Sequence, residues 1–230
     1  MLKAENQNIK RCDMVGVYLY FVILLLIIFL CIFILDKLLR WAPIKIKTVS
    51  IFMILFVMLK YITLILLALL EDQKYIYYIK YLVFLQYVYI PVILYIIYYI
   101  CRRNDKIKFS TTYSIMAAFV IFYAILLAVY EPNISISLKF GYIIMLKSEY
   151  IFTLAFIVVP TIILVLSILA LDRKFVNKPG IRLTIIATAF IILDNLIKLF
   201  GVSLYPYCVI SELVTLLVFN YCIGLFKKLY

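Results

Sequence analysis

Residues 184–220 read TIIATAFIILDNLIKLFGVSLYPYCVISELVTLLVFN: two apolar runs joined by a short Gly/Pro turn, with Asp194, Lys198 and Glu212 inside them. An ionised side chain near the middle of a membrane helix costs about 2.5 to 3.5 kcal/mol on insertion scales, so these three must be paired or kept hydrated. Thr184, Thr188, Asn195 and Lys198 recur at helical spacing, and Asp194 precedes Lys198 by four residues, the favourable acid-first orientation. Counting inward from Tyr205 places Lys198 and Glu212 at comparable depth, with Ser211 and Thr215 beside Glu212. This spacing predicts a Lys198–Glu212 pair across two adjacent spans, with Asp194 as the competing same-helix partner. Such a pair is either a fixed interhelical tie or a switchable polar centre at the floor of an outward-facing ligand cavity. Lys60 and Gln86 are further intramembrane polar groups; spacing does not place their helices around the bundle, so joining the same interior network and, for Lys60, snorkelling to the interface are both open.

Composition closes the soluble alternatives. Of 230 residues 68% are hydrophobic and 15% charged, against roughly 45 to 50% and about 25% in soluble domains. The net charge of +12 sits in short clusters between apolar runs, as in cytoplasmic loops, and not in a nucleic-acid-binding stripe. Cys12, Cys31, Cys101, Cys208 and Cys222 are scattered without CxxC spacing, which indicates neither a disulfide framework nor a zinc site.

The apolar runs predict an all-α, polytopic membrane bundle of seven transmembrane helices in a single domain over residues 1–230, set in a lipid bilayer as a multi-pass cell-membrane protein. The spans are residues 14–35, 48–70, 81–101, 113–130, 151–171, 183–203 and 205–226, each long enough to cross about 30 Å of hydrocarbon. The first run is too long for a signal peptide and has no small-residue cleavage site after it, so it is read as retained. Pro91 and Pro160 lie inside the third and fifth spans, and a kink is expected at Pro160. Ala117, Ala118, Ala124 and Ala128 in the fourth would allow close helix approach. Tyr75, Tyr77, Tyr78, Tyr81, Tyr87 and Tyr89 read as interfacial anchors of the third.

Basic residues set the expected orientation. One side carries fourteen: Lys37, Arg40, Lys45, Lys47, Arg102, Arg103, Lys106, Lys108, Arg173, Lys174, Lys178, Arg182, Lys227 and Lys228. The other carries seven, Lys3, Lys10, Arg11, Lys74, Lys80, Lys139 and Lys147, together with Glu71, Asp72, Glu131 and Glu149. The N-terminus is therefore expected outside and the C-terminus inside. In the one long connection, residues 131–150, Ile134, Ile136, Leu138 and Phe140 alternate with polar residues before Gly141. The pattern reads either as a small hairpin over the outer mouth or as an irregular surface loop.

The chain contains no histidine and only five glycines, and zincin, triad and phosphate-loop motifs are absent, so no enzyme, metal or cofactor is expected. A retinal Schiff base would need a lysine in the seventh span, and residues 205–226 contain none.

Residues 67–103, LALLEDQKYIYYIKYLVFLQYVYIPVILYIIYYICRR, with Gly141-Tyr142 and Glu149-Tyr150 before the fifth span and IRLTIIATAFIILDNLIKLFG leading to a polar seventh, carry a family likeness. In layout the chain resembles the seven-helix sensory region at the N-terminus of many bacterial membrane histidine kinases. The resemblance implies a receptor-like module that passes an outer-face or intramembrane signal to a cytoplasmic output domain, and it supplies no catalytic residues. Such regions normally continue into that output domain, whereas this chain stops at Tyr230. The output is therefore expected from a separate signalling protein, or to have been lost, with self-association as a further route. The alternative reading is a small carrier or channel using Asp194, Lys198 and Glu212.

Overall fold

The computed structural model describes residues 2–70, 73–102, 109–137, 139–147, 149–173, 175–201 and 205–229. Glu71, Asp72, Arg103, Lys106, Lys108, Leu138, Lys174 and Ser203 lie outside them, as do the side chains of Lys3, Lys10, Arg11, Cys12, Glu149 and Lys228. The chain is 83% helical. Its helices are α1 (Leu2–Trp41), α2 (Ile44–Leu69), α3 (Gln73–Ile79), α4 (Gln86–Arg102), α5 (Ser110–Val129), α6 (Glu149–Ala170), α7 (Lys178–Leu199) and α8 (Val209–Gly224). Two strands, β1 (Pro132–Ser137) and β2 (Gly141–Leu146), stand between α5 and α6. Among the described residues seven helical segments are long and apolar enough to cross a membrane, α3 and α4 together forming one of them over Lys74–Arg102.

The third span lies at the centre. Residues of α4 pack against α2, α5, α6, α7 and α8, and 89% of an 18-residue stretch of its span is buried, against 33% for the corresponding stretch of the first span and 11% for that of the fourth. Lipid tails are as apolar as leucine, so apolarity does not drive a membrane helix inward. Helices that carry tyrosines and amides go inside, where those groups find partners. The span is not one uniform helix: Lys80–Leu85 winds as a 3-10 segment and α4 begins at Gln86. Pro91 removes the amide hydrogen that would bond the Tyr87 carbonyl, so regular helix bonding is already weakened next to that junction. The tyrosines of this stretch divide accordingly. Tyr75, Tyr77 and Tyr78 are exposed, as anchors should be, whereas Tyr87 and Tyr89 are buried in the bundle.

Several boundaries move. α1 continues to Trp41 and α2 starts at Ile44, so Lys37, Arg40, Lys45 and Lys47 stand on helix ends and not in a loop. There Lys37 Nζ donates to Asn220 Oδ1 at 2.8 Å, and Lys227 Nζ lies 5.2 Å from the Trp41 ring centre, fastening α1 to the end of α8. α6 is unbroken across Pro160, and Thr161 Oγ1 donates to the Ile157 carbonyl at 2.8 Å beside it. The last span starts later than residue 205, at Val209. Pro206 has no amide hydrogen to donate, and its ring pushes Tyr205 away from helical geometry.

The connection between α5 and α6 is an antiparallel hairpin with Ile134 opposite Ile144 and Ser137 opposite Gly141. Its inner face is made by Ile144 and Leu146 of β2 with their partners Ile134 and Pro132 of β1, whereas Ile136, expected on the same face, is exposed. The hairpin rests on the end of α2. Gly141 has φ +77°, and a Cβ there would lie 2.8 Å from Ala68 Cα and 2.9 Å from the Leu67 carbonyl oxygen. The Ile144 amide donates to Tyr207 Oη at 3.0 Å, and Phe140 packs edge-on to Tyr20, which stacks on Tyr205. The hairpin thus covers α2 together with the turn that leads into α8.

Gly141→Ala combines a left-handed backbone cost of about 1 to 2 kcal/mol with a clash against α2 backbone. Faster trypsin cleavage at Lys139 or Lys147 in folded protein is expected for it. Gly16→Ala, whose added Cβ meets nothing within 4 Å, should cleave like the parent.

Candidate functional site

Glu212 is in the first turn of α8, where the unpaired amides of a helix start favour a negative charge. Its side chain is buried at 2% exposure and faces α2 and α4. Lys60 of α2, 1% exposed, places Nζ 2.5 Å from Glu212 Oε1 and 2.7 Å from Gln86 Oε1. Tyr61 Oη donates to Glu212 Oε2 at 2.8 Å, and Tyr89 Oη of α4 donates to the same oxygen. The Lys60 ammonium also lies 5.4 Å from the Tyr61 ring centre and 5.8 Å from that of Tyr89, within cation–π range. One carboxylate therefore takes three donors from two helices, and one ammonium takes two acceptors and two aromatic rings.

Local structure explains each position. Lys60 and Tyr61 are consecutive on α2 and approach the carboxylate from adjacent directions. Gln86 opens α4, and Tyr89 follows it by three residues, one turn on the same face. The 3-10 stretch before Gln86 sets where that face starts.

The expected Lys198–Glu212 pair is not the one formed: the ion pair of Glu212 is with Lys60. Depth along two helices can be counted in a sequence, but direction around the axis cannot. Ser211 and Glu212 are about 100° apart on α8 and so face different neighbours. Glu212 turns toward α2 and α4, while Ser211 turns toward α7, where its Oγ donates to Asp194 Oδ2 at 2.7 Å. Asp194 thus ties α7 to α8 through Ser211, and Lys198 stands half-buried one turn further along α7. Asn195 is spent locally, Nδ2 donating to the Ile191 carbonyl at 2.7 Å, with Cys208 Sγ 3.9 Å from its Oδ1. The threonines of α7 bond back into their own helix, Thr184 to the Gly180 carbonyl and Thr188 to that of Thr184, each at 2.9 Å.

Of the six candidates, the structure brings Lys60, Gln86 and Glu212 together and sets Asp194 and Asn195 at the neighbouring α7–α8 contact. Lys60 does not snorkel. Tyr61 and Tyr89 were not legible as site residues, because a tyrosine in an apolar span reads equally as an interfacial anchor. The available signals were adjacency to Lys60 and the three-residue step from Gln86. Among the described residues no group of three or more His, Cys, Asp or Glu is placed to hold a metal ion.

Removing one partner of a buried ion pair strands the other and typically costs 3 to 5 kcal/mol. Glu212→Gln and Lys60→Met should each lower the thermal stability of the purified protein by about that much. The double variant should lose clearly less than the sum. Additive losses would dismiss the pairing, and a larger coupling of Glu212 with Lys198 than with Lys60 would reassign it.

No protein-family model matches the chain, and neither a curated protein nor a solved structure matches it.

Proposed function

We propose that the chain is an integral-membrane sensory or receptor-like module, not an enzyme, with a resting state set by the Lys60–Glu212 contact. The observation that carries this reading is the saturation of Glu212: both its oxygens are taken, by an ammonium and two phenols drawn from α2 and α4. A carboxylate that passes an ion or solute must give up its partners in each cycle. One held by three donors in a buried interior acts as a latch between helices, and a latch has two positions.

The hairpin supports the same reading, since it rests on the end of α2 and on the turn before α8, the two elements whose ion pair forms the latch. A stimulus that shifts the hairpin, or that enters among the aromatic side chains beneath it, would bias α8 against α2. The displacement would reach the opposite end of the bundle, where α1 and α8 are joined through Lys37 and Asn220. The sequence resemblance to kinase sensory regions agrees with this direction of signalling. With the basic loops in the cytoplasm, the N-terminus and the hairpin lie outside and the C-terminus inside the cell membrane. The output then belongs to a separate signalling protein, or to a second copy, that contacts the basic end.

Single cysteines at Lys139 and Lys37 on a cysteine-free background test the orientation. An impermeant outside reagent should label the first and not the second, and the reverse pattern would overturn it. Crosslinking in native membranes, paired with flux assays in sealed vesicles, tests the function. A crosslinked partner whose yield changes in Glu212→Gln is expected. Specific solute or ion flux abolished by Glu212→Gln or Asp194→Asn, with no crosslinked partner, would replace the sensor with a carrier or channel.

A further inference from the structure

The end of α4 opposite its Glu212 contact holds a second meeting of the same two helices. Cys101 stands in the last turn of α4 and Cys222 in the last turn of α8, both at 0% exposure, with their Sγ atoms 3.4 Å apart. Three elements hold this arrangement. The Asn177 amide donates to the Cys101 carbonyl at 3.0 Å, and Asn177 Oδ1 also accepts from the Gly180 amide at 3.3 Å, capping α7 against the end of α4. Gly180 supplies the room: a Cβ there would lie 2.5 Å from Cys101 Sγ. Any larger residue would push the thiol out of the place it occupies beside Cys222.

We infer that Cys101 and Cys222 form a redox site, a dithiol that closes to a disulfide linking α4 to α8. A disulfide requires the two sulfurs at about 2.05 Å, so closure needs them to approach by about 1.4 Å, within reach of side-chain rotation and small shifts at two helix ends. Both S–H bonds break and one S–S bond forms. Two electrons and two protons pass to a membrane-permeant two-electron acceptor of the quinone class, which leaves as the hydroquinone. Encounter of the pair with the acceptor is slow at a buried site, whereas S–S closure is intramolecular and favoured by the proximity of the two sulfurs.

The dithiol stands independently of the sensor reading; only its consequence depends on that reading. α4 and α8 already meet at one end, where Tyr89 donates to Glu212. A covalent bond at the other would hold their relative position whatever happens to the ion pair.

The test uses full-length protein in its membranes, treated with diamide as the permeant oxidant, quenched with N-ethylmaleimide after denaturation, digested without reductant and analysed by mass spectrometry. A peptide joined through Cys101 and Cys222 is expected, reversed by dithiothreitol, while Cys31 and Cys208, both also buried, are recovered alkylated. Cys101→Ser or Cys222→Ser should abolish the joined peptide and leave the remaining thiol alkylated. The wild-type result decides without either variant. Recovery of both Cys101 and Cys222 as alkylated thiols, at diamide levels that oxidise glutathione trapped in the same vesicles, would overturn the site. So would preferential linkage through Cys31 or Cys208.

Discussion

The ion pair between Lys60 and Glu212 is what the arrangement of helices has to accommodate. Two charges in a low-dielectric interior lose several kcal/mol of hydration each, and their attraction compensates only when the remaining donors and acceptors are also met. Tyr61, Tyr89 and Gln86 meet them, and the start of α8 adds its own dipole. That demand brings α2, α4 and α8 to one point. It also explains why the tyrosine- and amide-bearing third span, not the most apolar one, occupies the centre.

Around this point the chain uses two different economies of polar contact. On α7 the hydroxyls of Thr184 and Thr188 and the Nδ2 of Asn195 donate to carbonyls one turn back in the same helix, which makes them tolerable in a membrane. On α2 and α8 Thr63 and Thr215 do the same, but Lys60, Tyr61, Gln86, Tyr89 and Glu212 reach across helices, and each depends on another's position. Contacts of the first kind survive helix movement, whereas those of the second kind resist it and break together. α7 joins the interlocked trio through Asp194 and Ser211, through Cys208 and Asn195, and through the Asn177 amide on the Cys101 carbonyl.

Much of the bundle was legible beforehand. Apolar runs of about 20 residues have few fates other than spanning a bilayer, and each of the seven candidate membrane helices overlaps one expected span, with ends displaced by up to seven residues. The alternation before Gly141 left a hairpin and an irregular loop both open, and the structure forms the hairpin, with Ile134 packed inward and Ile136 exposed. The candidate site was only half legible. Lys60, Gln86 and Glu212 stood out as polar groups among hydrocarbon, but the wrong lysine was paired with Glu212. Nearness in sequence and equal depth favoured Lys198, 14 residues away, over Lys60, 152 residues away. Tyr89 was lost among anchors that share its chemistry and differ only in burial.

What the sequence alone determined is the set of one-dimensional properties: how many segments are apolar enough to cross, and where charge interrupts them. These depend on local composition and backbone stereochemistry, which need no knowledge of neighbours. Tertiary structure alone decided partnership. Which way Glu212 points depends on where α8 begins after Pro206, on the 3-10 turn ahead of Gln86, and on the order of helices around α4. None of these has a signature in the spacing of residues along a single helix, because a helical period describes a face without saying what stands opposite it.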